Sequence, residues 1–256
     1  NNVASPALAY LDGKAVILYV YDRPSLPANQ CTEIRMLRET ADGWADVDVT
    51  NDTALDSQPN VAVTADGKLI AVWTRMADVQ PNDDPLVRYS KAEIAYSVWD
   101  PASGVWSAPA LITSDARLDL NPQLTLGQDG VLYLTWLKSP DNVFPTDVST
   151  RVLPHDDLWI ARWDGSRFVG ATQAIGRVDT LERIGFGVSS SGERVAVWSR
   201  DNDGNENTND PALYFSRYTG GTWTGADRVN AGDAQPETTP SLTFTMTGKN
   251  PAEPGW

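Results

Sequence analysis

The stretch "SRDNDGNENTND", residues 199–210, places Asp201, Asp203, Asn205, Asn207 and Asp210 at nearly alternate positions. Oxygen side chains spaced this way can converge on one ion when the chain curls. Calcium draws its six to eight oxygens from carboxylates, amides and backbone carbonyls. An EF-hand loop needs Gly at its sixth position and Glu at its twelfth. Here Gly204 is fourth from Asp201 and no helical pattern flanks it, which excludes that loop. A local Ca2+ clip and a solvated acidic loop built on Asx turns both remain open.

Two further groups have residue types suited to chemistry. "HDD" (155–157) holds the single histidine, His155, beside Asp156 and Asp157, a set able to bind metal or move protons. "NDD" (82–84) and "ND" (209–210) stand at comparable places, which favours a loop-closing role over a catalytic one. The second group is a repeated acid pair. Asp52, Asp115 and Asp233 sit seven residues before Pro59, Pro122 and Pro240, and Asp56, Asp119 and Glu237 sit three before. Arg177 and Leu181 occupy those offsets in one remaining repeat. Asp favours loop turns by bonding its own backbone, and a cation or ligand role is the alternative. Arg75 and Arg200 follow Trp73 and Trp198 at the same blade position, with Lys138 after Trp136 and Asp22 after Tyr19 in the equivalent region.

These residues are positioned by an internal repeat, the feature to be sought first in any chain. "SPALAYLDGKAVILYVYD", "QPNVAVTADGKLIAVWTR", "NPQLTLGQDGVLYLTWLK" and "RIGFGVSSSGERVAVWSR" share one pattern. An alternating strand enters a Gly turn, and a second strand follows it to Tyr19, Trp73, Trp136 or Trp198. A second half-motif follows each, with another alternating strand, another Gly turn and an aromatic (Trp44, Trp106, Phe168, Trp223) opening a fourth strand. Period-2 alternation with β-branched and aromatic enrichment predicts strands throughout, and no segment carries a sustained helical period. The ring residues lie 54, 63 and 62 apart. Four antiparallel strands at that period predict an all-β fold, a β-propeller of four-stranded blades.

The blades fall at about 4–56, 57–119, 120–181 and 182–237, with 238–256 opening a fifth. Such a set predicts part of a larger ring, completed by further blades or by a partner chain, because open sheet edges invite pairing. With strands A to D in each blade, the A–B and C–D turns share one face and the B–C and D–A connections share the other. The B–C connections are long, and long loops in compact domains are commonly functional. The expected binding face is therefore the B–C/D–A face. It carries the 199–210 stretch and the acids Asp52, Asp56, Asp115, Asp119, Asp233 and Glu237. The recurring rings are expected to pack between twisted blades. Trp99 is open to two readings, a sugar-stacking platform or a cover for the blade's outer edge.

Composition bounds the partners. A net charge of −14 disfavours nucleic acid and anionic membrane and suits divalent cations. No apolar run reaches the roughly 18 residues of a membrane span. The lone Cys31 excludes an internal disulfide framework.

The turns "SVWDPASGVW", "ARWDGSRF", "SRYTGGTW" and "RETADGW" resemble the Asp-box (BNR-like) turns of sialidase-type propellers. The aromatic and usually a Gly survive, whereas the Ser/Asp spacing does not. The resemblance covers about four blades and implies the fold. The repeats are also similar to propeller arrays of large secreted bacterial proteins, which implies a secreted or cell-surface setting. A sialidase-like hydrolase would need an arginine cluster, a Tyr/Glu nucleophile pair and an acid Asp. The family's Arg-Ile-Pro signature is absent, with "ERIG" at 182–185 a weak echo. Propellers host many functions, so the fold does not choose among them. The reading is a binding or scaffold module with an acidic, calcium-binding loop face and a carbohydrate or protein ligand. One alternative is a carbohydrate-active hydrolase. The other is a structural repeat of a surface filament, self-associating through 1–56 and 238–256.

Overall fold

The computed structural model describes residues 6–142, 155–180, 184–201 and 211–229. They form four four-stranded antiparallel sheets, the blades of a partial β-propeller. Blade one is β1 (Ala7–Leu11), β2 (Lys14–Asp22), β3 (Thr32–Thr40) and β4 (Gly43–Asp48). Blade two is β5 (Leu55–Val63), β6 (Leu69–Met76), β7 (Ala92–Asp100), and a fourth strand in two pieces, β8 (Val105–Trp106) and β9 (Ala110–Leu111). Blade three is β10 (Leu118–Leu126), β11 (Leu132–Ser139), β12 (Asp157–Trp163) and β13 (Phe168–Ile175). Blade four is β14 (Gly185–Val188), β15 (Arg194–Asp201), β16 (Pro211–Thr219), β17 (Thr222–Trp223) and β18 (Asp227–Arg228).

Turn chemistry sets the hairpins. In blade one, Asp12 (φ 51°) and Gly13 (φ 74°) are both left-handed, and Leu11 pairs directly with Lys14. That is a two-residue type I′ hairpin, whose twist matches its strands. The other three A–B turns are longer. Each is closed by one backbone pair, such as Thr64 N to Lys68 O at 2.8 Å. The fourth strands of blades two and four are each in two pieces. Pro109 has no N–H to offer between β8 and β9. A buried serine of the third strand bridges each break: Ser97 Oγ donates to Ser107 O (2.7 Å) and Ser216 Oγ to Thr224 O (2.8 Å).

Strand A carries a second repeated irregularity. Residues 58 and 59 together oppose Trp73, and 121 and 122 oppose Trp136, because the register slips at both places. These bulges accommodate Pro59 and Pro122, which have no ladder donor. Gln58 and Asn121, just before them, are left-handed at φ 53° and 54°. The Gln58 side-chain oxygen accepts from Thr74 Oγ (2.8 Å) and from the Asn121 amide of the next blade (3.0 Å).

The core lies between blades. Trp73 is fully buried in one cluster with Val16, Leu18, Ile34 and Met36 of blade one. Trp136 packs with Val72 and Ile94 of blade two, and Trp198 with Leu158 and Ile160 of blade three. Large rings fill the wedge that sheet twist opens between neighbours. Trp99 belongs to the first of these clusters, edge-on to Trp106 at 5.5 Å. It is buried, which removes the sugar-platform reading. One element departs from the all-strand expectation. The B–C connection of blade two holds a single helical turn, α1 (Pro85–Tyr89). The Asp84 carboxylate accepts from Leu86 N at 2.9 Å and Pro85 sits in the first turn, a start signal too short to show as periodicity.

Candidate functional site

The B–C/D–A face is organised by a repeated latch. Glu33 and Glu93 are the second residues of β3 and β7, and Asp157 is the matching residue of β12. Each accepts a backbone N–H from the following D–A loop. Glu33 takes Asp52 N at 2.8 Å, Glu93 takes Asp115 N at 2.7 Å, and Asp157 takes Arg177 N at 2.9 Å. The strand-A acids form the second half. Asp56 accepts Trp73 Nε1 (2.9 Å) and Arg75 Nη1 (3.0 Å), while Arg75 Nη2 reaches Asp52 at 2.6 Å. Asp119 accepts Trp136 Nε1 (2.8 Å), and Lys138 bridges Asp119 (3.4 Å) and Asp115 (2.6 Å). Asp56 and Asp119 have no exposed surface. Their bonds satisfy a buried charge that would otherwise be costly.

The repeat acids are thus more than turn formers: the same two pairs lock loop, strand A and strand B together. Asp and Trp are 17 residues apart in both pairs. That spacing was the readable signal for a partnership that strand alternation does not reveal. Blade four has Leu181 at the same spacing from Trp198. Among the described residues Trp198 Nε1 finds no acceptor, and Arg200 lies over the Tyr214 ring at 4.2 Å instead. Trp73→Phe and Trp136→Phe should therefore each cost about 1–3 kcal/mol more than Trp198→Phe, since only they strand a buried acceptor. Equal losses in urea denaturation would contradict the pairing.

An open cleft of ≈ 600 Å³ lies on this face, walled by Asp52, Arg75, Lys91, Glu93 and Asp115. Lys91 is held by Asp78 O (2.6 Å) and by the Asp83 carboxylate (2.7 Å). Burial pushes the Glu93 carboxyl up to about 7, and the nearby Asp119 and Asp115 charges add to the rise. Glu93 Oε2 is buried without a hydrogen-bond partner. Burial likewise raises Asp56 and Asp119 to about 6, against the pull of Arg75 and Lys138. It raises Asp156 to about 7, with help from Asp179 and Asp157. One carboxylate oxygen each of Glu33, Asp52 and Asp56 lies within 4.8 Å of the others, as in Glu93, Asp115 and Asp119. Either triad could hold a metal ion, although a basic side chain already sits on each.

These shifts fix a sign for stability. All four carboxyls bind protons more tightly folded than unfolded. Their contribution is full below the ordinary carboxylate pKa, about 4, and is lost as pH rises through 6–7. The melting temperature should be higher at pH 5 than at pH 8, and relief of the −14 net charge acts in the same direction. A thermal scan showing the reverse slope would contradict this.

His155 is half exposed, 3.4 Å from Asp141 and 3.3 Å from Arg177, and Asp157 serves the loop amide. Asp201 ends β15. Its side chain, with Asp203, Asn205, Asn207, Asp210, Asp233 and Glu237, lies outside the described residues. Among the described residues no helix is long and apolar enough to cross a membrane.

No family model matches the chain, and no curated protein does. Solved structures do match. A Hadza microbial sialidase superposes with TM-score 0.56 at 13% identity, covering 86% of this chain and 45% of its own. An ulvan lyase, a polysaccharide lyase, gives 0.63 at 11%, covering 92% and 60%. The α-L-arabinanase of Penicillium chrysogenum, complexed with arabinobiose, gives 0.59 at 13%, covering 91% and 68%. The chain spans about half to two thirds of the length of these enzymes. At such identities the likeness establishes the fold, which sialidases and other carbohydrate-active propeller enzymes share.

Proposed function

We propose that the chain is part of a carbohydrate-active propeller hydrolase, with its sugar-binding groove in the cleft beside Glu93. The carrying observation is Glu93, a carboxyl held near pKa 7 in a cleft whose other acids, Asp52 and Asp115, are half exposed. A raised acid beside an accessible carboxylate is the pairing that glycoside hydrolysis uses. Glu93 gives its proton to the leaving glycosidic oxygen, and Asp115 is the facing carboxylate. Their nearest oxygens are within 4.8 Å, short of the roughly 6.5–9.5 Å that leaves room for an inverting enzyme's water. The pairing therefore favours retention. Arg75 and Lys91 supply donors for sugar oxygens or a uronate carboxylate.

The test is a panel of arabinan, β-1,3-galactan, sialosides and ulvan, assayed for new reducing ends and for unsaturated products. Saturated reducing ends are the expected result. Unsaturated products, or no turnover on any glycan, would sink the reading. Calcium is read in the same assay: Arg75 and Lys138 already sit on the two acid triads, so chelator should leave turnover unchanged.

A further inference from the structure

Cations in a glycan cleft suggest an anionic sugar, so what Arg75 and Lys91 already hold decides the substrate class. Both line the cleft beside Glu93. The Arg75 guanidinium is occupied along its Nη edge. Nη1 donates to both Asp56 oxygens at 3.0 Å, and Nη2 donates to Asp52 at 2.6 Å. That is the edge a sugar carboxylate would take in a bidentate pair. Lys91 Nζ donates to Asp78 O at 2.6 Å and to the Asp83 carboxylate at 2.7 Å. Two of the ammonium's three N–H groups are thereby used, and Asp83 balances its charge. Lys138 is likewise held by Asp115 (2.6 Å) and Asp119 (3.4 Å).

The rest of the wall is rich in acceptors. The Asp52 and Asp115 side chains are 40% and 50% exposed, and ionised carboxylates only accept. Ser90 Oγ gives its proton to Val87 O at 2.8 Å, so it too faces the cleft as an acceptor. Sugar hydroxyls supply the matching donors. Carboxylate and sulfate groups supply none and meet like charge. Leu111, 53% exposed, and Pro109 add an apolar strip for the C–H face of a sugar ring. Resting on the reading of this cleft as a glycan site, we propose that it selects neutral glycans over uronate, sialate and sulfated ones. Arg75 and Lys91 hold the wall's own carboxylates in place and offer their remaining N–H groups to hydroxyl oxygens.

The test is binding by titration calorimetry, which reads independently of turnover, on Glu93→Gln protein so that no probe is consumed. The neutral probes are arabinan and β-1,3-galactan. The anionic ones are the same galactan with its primary hydroxyls oxidised to carboxylates, ulvan and a sialoside. A neutral probe should bind about tenfold or more tighter than any anionic one. Salt should leave that affinity unchanged. Adding Asp83→Asn frees the Lys91 charge and should tighten binding of oxidised galactan about threefold or more at low salt, without strengthening that of galactan. Neutral glycan bound by this protein but never cleaved by wild type would remove the hydrolase reading and leave the selectivity standing. An anionic probe bound as tightly as the neutral ones would overturn the selectivity, and so would binding of no probe.

Discussion

Asp56→Leu should lower the melting temperature of the chain by about 6–20 °C. The range follows from the physics of breaking a buried ion pair, about 3–5 kcal/mol, with about 2–4 °C per kcal/mol in a domain of this size. Asp56 is fully buried and accepts from Trp73 and Arg75 together. Its removal leaves the indole N–H and the guanidinium facing an apolar group. The loss is specific to the broken pair. Asp56→Leu combined with Arg75→Met replaces the pair by apolar side chains of similar volume, a change that is often near neutral. In the sequence of blade four, Leu181 stands at the same 17-residue spacing from Trp198. The double variant should recover most of the stability, giving a coupling above about 0.5 kcal/mol in a denaturation cycle. Additive losses would mean that Asp56 and Arg75 act separately.

Glu93→Gln should reduce glycan turnover by about 10²–10⁴-fold, the contribution of a positioned proton donor. The amide keeps the side-chain oxygen that receives Asp115 N, so the loop stays closed and the melting temperature should change little. The discriminating readout is pH. Glu93 must be protonated to act, and its carboxyl sits near 7. Wild-type turnover should therefore fall as pH rises through about 7. In the Gln variant the residual activity should lack that limb. A variant that loses activity and melting temperature together would instead give Glu93 a purely structural role.

Much of this architecture is legible in the chain itself. Alternation and Gly turns announce the strands, and the evenly spaced Tyr19, Trp73, Trp136 and Trp198 announce the blades. Local patterns carry that information because each hairpin is closed by neighbours in sequence. The latch is harder to read. Glu33 and Glu93 look like ordinary polar positions of alternating strands, and only the sheet shows that they receive loop amides about 20 residues away. The strand-A bulges are equally hidden, since Gln58 takes a left-handed φ that its side chain does not advertise. Asp52 and Asp115 were visible as a repeat, but their pairing with Arg75 and Lys138 depends on which side of the sheet each faces. The α1 turn escaped because five residues cannot display a 3.6-residue period.

The most direct test of the cleft's assignment is reducing-end release from the glycan panel, measured side by side for wild type and Glu93→Gln of equal thermal stability. Turnover by wild type, at least a hundredfold loss in the variant and no unsaturated product are the results predicted here. Equal activity of the two proteins would contradict the assignment of Glu93 as the proton donor.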